Sequence, residues 1–360
     1  MSLAFTSFRW KEELAEQRAL FSDCFPENRG LPPETEAFYS RKFRTFPHDP
    51  PSYEYLARDE GAAVGFYAAL PFTYLAGDTR YRCGMVCDVM TSPRMQGKGV
   101  FTKLGAYSLG KLTDEGVDFV TGYPRRAAVI PGHLKVGWHI AFRLPMYLMP
   151  LRTDGLLRTK DMGKWARVVN PLLSPAHGLI SWLLPSTRGL QLEIWDWRSF
   201  FDQHDDYEAF FARWRAGKAM VLDKTRAYLT WRLAVQDVDY RILTVKRQGT
   251  LVGLSIVRSC APEGVPSLAV LDLMQGEEDP AILACLREGW RRLAEEWASE
   301  AVLLMMSEFQ AQRTRLWRLG FLRTPVVFSL ILNLLSARAK QEVSSRPEDW
   351  HLMWIDSDDL

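Results

Sequence analysis

Arg94-Met95-Gln96-Gly97-Lys98-Gly99-Val100 is the stretch on which the reading of this chain turns. It follows an apolar run ending Cys87-Asp88-Val89-Met90 and precedes a helical pattern from Val100 to Thr113 that keeps Leu104 and Leu109 apolar. Two glycines two apart let the backbone turn its N–H groups toward one point, because glycine adopts positive φ without steric cost. A helix starting at Val100 adds the positive end of its dipole, and Arg94 and Lys98 add charge. Together these make an anion cradle suited to a pyrophosphate. A Rossmann reading of the same glycines fails, since it needs a third glycine where Thr102 stands.

Working outward, the chain repeats itself. Val64-Gly65-Phe66-Tyr67 returns as Val252-Gly253-Leu254-Ser255, Cys87-Asp88-Val89-Met90 as Leu271-Asp272-Leu273-Met274, and His133-Leu134-Lys135-Val136-Gly137-Trp138 as Leu316-Trp317-Arg318-Leu319-Gly320-Phe321. The offsets are 188, 184 and 183, in one order along the chain. Tyr39 and Tyr228 stand at similar distances ahead of their glycines. A duplicated domain is the simplest account.

Each half then reads alike. A helical part, Glu12 to Phe21 in the first half, precedes a hairpin: Tyr53 to Asp59 and Ala62 to Leu70 around Glu60-Gly61, then Tyr240 to Lys246 and Leu251 to Val257 around Gln248-Gly249. Glycine at such turns provides the positive φ that tight hairpins require. A strand follows (Tyr81 to Met90; Ser267 to Met274), then a helix (Val100 to Thr113; Pro280 to Ala298) and a buried strand (Val117 to Gly122; Ala301 to Ser307). A short helix ending at Gly-Trp or Gly-Phe and a last strand complete each unit. Strands separated by helices imply an α/β (α+β) architecture, a mixed sheet covered by helices. The expected domains are 1–150, a connector over 151–190 rich in helix-breaking Pro171, Pro175 and Pro185, and 191–360. The C-terminus is expected to add a strand through His351 to Ile355, followed by a solvated acidic tail with Asp356, Asp358 and Asp359.

A length of 360 residues suits two domains, and 47% apolar residues allow each a core. With 45 basic against 43 acidic side chains the chain lacks the basic excess of a nucleic-acid binder. The five cysteines form no C-x-x-C pair and have no histidine nearby, so free thiols of a reducing compartment are expected and a metal site is not. Charges at Arg9, Lys11, Glu12 and Glu13 argue against a secretory leader, and Gly178 to Leu184 is too short to cross a bilayer. A cytoplasmic protein without a membrane span is the expectation; its oligomeric state is not legible.

Arg94-x-x-Gly97-x-Gly99, after Asp88-Val89-Met90-Thr91 and Pro93, resembles the Arg/Gln-x-x-Gly-x-Gly/Ala signature of the GNAT acetyltransferase superfamily. Further on, where that family has Tyr-x-x-x-Gly-Phe, this chain has His133-Leu134-Lys135-Val136-Gly137-Trp138. Gly122-Tyr123-Pro124, Ile130-Pro131-Gly132 and Tyr228-Leu229-Thr230-Trp231-Arg232 resemble a two-domain GNAT subgroup found with bacterial polysaccharide genes. The resemblance covers most of the chain and implies tandem GNAT folds, the first catalytic and the second degenerate.

It also implies acetyl-CoA as co-substrate and acetyl transfer to a primary amine, on a small molecule or an amino sugar or polysaccharide precursor. The pyrophosphate would lie on the backbone N–H groups from Gln96 through Val100, with Arg94 beside it. The Val89 N–H, on a strand that splays from its neighbour, would hold the thioester oxygen. His133 stands in the place of the family's tyrosine, which protonates the departing thiolate; simple packing is the alternative. Asp88 is a candidate base, although its counterpart Asp272 in a half without a cofactor loop argues for a structural role. Tyr123 and the pair Arg125 and Arg126 are candidate acceptor contacts, the arginines for an anionic substrate, with packing or a solvated surface as alternatives. His139 is expected to be satisfied structurally.

In the second half the loop position reads Gln275-Gly276-Glu277-Glu278-Asp279-Pro280. Three acids would repel a pyrophosphate and Pro280 removes a donor, while Leu316 replaces the acid. Two alternatives stay open: a non-catalytic acyl-CoA-binding protein, and an aminoacyl transferase of the peptidoglycan cross-bridge type. The latter pairs two GNAT-like domains but generally lacks the intact loop present here.

Overall fold

The structure is a computed structural model that describes residues 3–124, 127–158 and 163–357. Of the residues singled out above, Arg125, Arg126, Asp358 and Asp359 lie outside the described residues. The chain forms two compact units. One comprises the residues up to Phe142 with Ser329–Arg346, the other Arg143–Phe328 with the segment from Pro347 onward.

In chain order the elements are β1 (Leu3–Ser7), α1 (Trp10–Cys24), α2 (Glu36–Arg44), β2 (Tyr53–Asp59), β3 (Ala62–Ala76), β4 (Thr79–Thr91), α3 (Val100–Asp114), β5 (Phe119–Gly122), α4 (Ile130–Leu134) and β6 (His139–Pro150). There follow α5 (Asp154–Arg158), α6 (Ala166–Leu183), β7 (Leu190–Asp196), α7 (Trp197–Gln203), α8 (Tyr207–Arg215), β8 (Met220–Leu222) and α9 (Arg226–Leu233). The remainder is β9 (Tyr240–Arg247), β10 (Thr250–Cys260), β11 (Ser267–Gln275), α10 (Pro280–Glu296), β12 (Ala301–Met305), α11 (Glu308–Arg313), β13 (Leu322–Leu334), α12 (Ala337–Glu342) and β14 (Trp350–His351).

In the first unit β1 to β4 are successive antiparallel neighbours, and β5 lies parallel to β4. A parallel neighbour needs a crossover, and α3 supplies it. The second unit repeats the plan: β7, β9, β10 and β11 pair antiparallel, and β12 lies parallel to β11 after the α10 crossover. Both units are thus mixed sheets flanked by helices.

The repeated Val-Gly has a packing cause. A Cβ at Gly65 would stand 3.0 Å from Val100 Cγ1, and one at Gly253 only 2.4 Å from Ile282 Cγ2. Glycine lets the first turn of each crossover helix settle on its sheet. That helix buries Leu104 and Leu112 against Tyr55, Val64, Tyr67 and Val120 in the first core.

Three expectations change. Each half's last strand was to close its own sheet; instead the end of β13 closes the first unit's sheet (Ile331 opposite Gly122), and the end of β6 closes the second's (Pro150 opposite Ala301). Every open sheet edge offers the same N–H and C=O groups, so an alternating pattern carries no address. The stretch read as a connector packs inside the second unit, where the Glu300 carboxylate accepts from Gly155 N at 2.6 Å. Pro171 and Pro175 lie within α6 rather than ending it. At the C-terminus β14 is only two residues long, pairs parallel with β8, and gives way to a tight helical turn over Trp354–Asp356. Asp356, expected in a solvated tail, is fully buried, because Lys224 Nζ lies 3.1 Å from its Oδ1.

Candidate active site

β4 and β5 pair only from Cys83 opposite Phe119 to Met85 opposite Thr121, although β4 continues to Thr91. The two strands therefore part just where the expected site lies. On its other side β4 bulges: Cys87 faces Ala68 and Met90 faces Phe66, so Asp88 and Val89 together oppose the single Tyr67. Bulges re-aim backbone and side chains at strand ends, and Asp88 takes a φ of +46° here. Lys42 Nζ, on α2, donates to Asp88 Oδ1 at 3.0 Å. Asp88 is thus held in an ion pair, and nothing in the spacing of the sequence announces Lys42.

After β4 a tight turn over Pro93–Met95 leads into the glycine loop. Gly97 and Gly99 have φ of +75° and +78°, and Gly99 is the residue from which α3 starts. Gln96 N and Lys98 N are turned inward, donating to Pro93 O and Met95 O at 3.3 Å each. The N–H groups of Gly97, Gly99, Val100 and Phe101 have no backbone acceptor among the described residues. No side chain caps α3 either. The expected donor set is thus reduced at Gln96 and Lys98 and extended into the first helical turn. A Cβ at Gly97 would meet nothing within 4 Å, so the loop is open on that side. Arg94 and Lys98 are exposed. Unpaired N–H groups, a helix N-terminus and two cations fit the diphosphate of a coenzyme A thioester.

His133, on α4, is buried with its ring edge-on to Phe101 (4.9 Å between centroids) and Trp138 (5.0 Å). Its Nδ1 is 3.1 Å from Val129 O. A carbonyl can only accept, so Nδ1 carries the proton and Nε2 of the neutral ring has a free lone pair. Burial holds the imidazole below its ordinary value, with the Val129 bond opposing. The ring is therefore neutral near pH 7 and set up to take a proton at Nε2. Tyr123 is buried just beyond β5. His139 Nε2 lies 2.7 Å from Ser345 Oγ, in keeping with a structural role.

Between α2 and β2 lies a buried polar cluster that no motif signalled. Glu54 bonds to Tyr39 OH and to Arg44, and Ser52 Oγ donates to it at 2.8 Å. Burial raises the Glu54 pKa, with Arg44 the main opposing charge. Tyr39, which the repeat had picked out, thus ties α2 to β2.

The second unit closes the same places with its own atoms. Asp279 Oδ1 accepts from Ala281 N at 2.8 Å and so caps α10, while Arg247 holds the Asp279 and Glu277 carboxylates. Asp272, the counterpart of Asp88, is fully buried with Lys224 Nζ 2.8 Å from its Oδ2.

Residues 9–141 match the family model described as an acetyltransferase (GNAT) domain. Among solved structures the chain is similar to a GCN5-related N-acetyltransferase from Anabaena variabilis, at 14% identity and a TM-score of 0.63, covering 93% of this chain and 73% of that one. It is also similar to a GCN5-related N-acetyltransferase from Kribbella flavida (14% identity, TM-score 0.61, 96% of this chain and 74% of that one). A third likeness is to Saccharomyces cerevisiae N-myristoyltransferase, solved with bound myristoyl-CoA (12% identity, TM-score 0.58, 92% and 79%). No curated protein matches the sequence. Identities this low speak to the fold alone, whereas the family match falls on the half of the chain that carries the open glycine loop. Over residues 9–141, well under half of its length, the chain is similar to the acetyltransferase (GNAT) domain family.

Proposed function

We propose that this protein is an acetyl-CoA-dependent N-acetyltransferase whose first unit binds the co-substrate and whose second unit is a scaffold. The observation that carries this reading is the contrast between the two crossover helices. α3 starts uncapped behind two positive-φ glycines, and α10 starts capped by Asp279. Gly97, Gly99, Val100 and Phe101 would hold the diphosphate through their N–H groups, with Arg94 and Lys98 beside it. Acetyl-CoA supplies an activated acyl group for direct transfer to an amine.

The chain's own part is to orient the thioester and to move one proton. The Val89 N–H, at the bulge, is proposed as the donor to the thioester oxygen, a type of contact worth a few kcal/mol in transition states. His133 Nε2 takes the proton that the amine loses and can return it to the sulfur, so its role as an acid follows its role as a base. Asp88 is proposed to fix the bulge through Lys42 rather than to act as the base. Tyr123 and Arg125 are proposed acceptor contacts. The acceptor is proposed to be a primary amine on a small or sugar-linked molecule, met in the cytoplasm.

Calorimetry with acetyl-CoA on the wild type and on Gly97→Glu tests the reading. Binding by the wild type alone supports it, and an amine screen then seeks turnover. Binding without turnover on any amine favours the acyl-CoA-binding alternative. If the wild type does not bind, the enzyme reading fails.

A further inference from the structure

α6 presents its side chains the opposite way round from an ordinary surface helix. Three of its polar residues, His177, Asn170 and Ser181, bond to the rest of the second unit. His177 is buried, with Nε2 2.7 Å from Pro150 O and Nδ1 2.9 Å from Arg287 Nη2. Asn170 Oδ1 accepts from Thr153 N at 2.8 Å, its Nδ2 donates to Asp154, and Ser181 Oγ accepts from Arg287 Nη1 at 3.0 Å.

Five of its large apolar side chains, and one just before it, face outward. Val168, Leu172, Leu179, Trp182 and Leu183 are 57%, 63%, 57%, 79% and 66% exposed, and Trp165, just before the helix, is 48% exposed. With 3.6 residues per turn these six fall on one stripe about 100° wide, on the side away from buried Ala166 and His177. A contiguous apolar face of this kind marks a surface that is covered in use.

The charges say by what. Within α6 only Arg167 is charged, and no residue is acidic. Among the described residues from 151 to 189 the basic ones are Arg152, Arg158, Lys164, Arg167 and Arg188, against the single acid Asp154. Two copies meeting through this stripe would bring identical basic sets together, with Pro175 between Leu172 and Leu179. An anionic surface instead meets charge of opposite sign. Tryptophans at both ends of an apolar stripe suit the boundary between headgroups and acyl chains. No helix among the described residues is long and apolar enough to cross a membrane, and the polar inner face of α6 stays engaged with its own unit.

We propose that α6 is a peripheral membrane-docking helix, lying in the plane of an anionic bilayer with its apolar stripe among the upper acyl chains and its basic flank on the headgroups. The test is co-sedimentation of the full chain with vesicles of phosphatidylcholine alone or with added phosphatidylserine. Binding is expected to the anionic vesicles. It should weaken at least ten-fold in the Leu172→Glu/Trp182→Glu variant, and fall as salt rises from about 0.1 M to about 1 M, where screening shortens from about 10 Å to about 3 Å. Both positions are exposed, so far-UV circular dichroism and the urea midpoint of the variant should match the wild type. Equal binding to neutral vesicles, binding unchanged in the variant, or no binding at all overturns the proposal. So does a dimer in sedimentation equilibrium that the same variant makes monomeric without any vesicle binding, which would assign the stripe to a second copy of the chain.

Discussion

Asp279 Oδ1 accepts from the N–H of Ala281 across 2.8 Å, so the second unit's crossover helix spends its open N-terminus on its own chain. At the matching place in the first unit stands Gly99, with no side chain to offer. One loop is therefore free to take an anion and the other is already occupied by a carboxylate. Asp279→Ala should cost about 1 kcal/mol of stability, as lost helix caps do, and leave acetyl-CoA affinity unchanged. Urea denaturation and calorimetry on the same variant check both halves of that statement.

Gly97→Glu puts a carboxylate and a side chain into the cradle. Its positive φ adds about 1–2 kcal/mol of strain for any L-residue, but a Cβ there touches nothing within 4 Å. The expected result is a fold that survives with acetyl-CoA binding weakened about a hundred-fold or more, since electrostatic repulsion replaces N–H donation. A comparable loss of binding with Gly97→Ala would instead point to backbone conformation as the controlling factor.

Gly65→Ala tests how closely α3 must approach the sheet. The new Cβ would stand 3.0 Å from Val100 Cγ1, so the first turn of α3 must shift. A loss of about 1–3 kcal/mol is expected, as for other overpacked cores, together with weaker acetyl-CoA binding. Gly253→Ala, with a 2.4 Å approach to Ile282, should be the more destabilising of the two and leave binding intact.

For His133 the sign of the pH dependence follows from its lowered folded pKa. The unfolded ring, with a pKa of about 6.5, binds more protons than the folded one. Its contribution to stability is therefore complete above about pH 6.5 and is lost as pH falls toward the folded value. Histidine NMR titration should find this ring still neutral at the pH where a free imidazole is half protonated. His133→Gln should lower kcat by about a hundred-fold or more if Nε2 carries the proton, with acetyl-CoA affinity little changed. A kcat within two-fold of wild type would leave His133 as packing.

Lys224 sits between two buried carboxylates, 2.8 Å from Asp272 and 3.1 Å from Asp356. Lys224→Met strands both and should cost about 3–5 kcal/mol, the range for breaking buried ion pairs from one side. Adding Asp356→Asn should recover part of that loss. Urea denaturation of the single and double variants separates the outcomes.

Much of this protein was legible along the chain because the deciding signals are local. Glycines at 61 and 249 set the hairpins, the alternation of strands with helices set the mixed sheets, and Gly97-x-Gly99 before an apolar helix set the loop. Each of these depends on backbone geometry within a few residues. The acids Glu277, Glu278 and Asp279 were readable at the second loop, although the use of Asp279 as a helix cap was not.

What only the tertiary structure decided involves residues far apart in sequence or choices between equivalent partners. The ends of β6 and β13 could each have closed their own sheets, because sheet edges present the same backbone groups, and packing alone chose otherwise. Asp356 looked like part of an acidic tail until Lys224, on a distant segment, drew it into a core. Lys42 beside Asp88, and the Val129 carbonyl that fixes the proton on His133 Nδ1, likewise belong to no motif. Sequence spacing specifies which backbone conformations are cheap; where a buried charge or a shared proton ends up depends on what the folded chain brings within hydrogen-bonding reach.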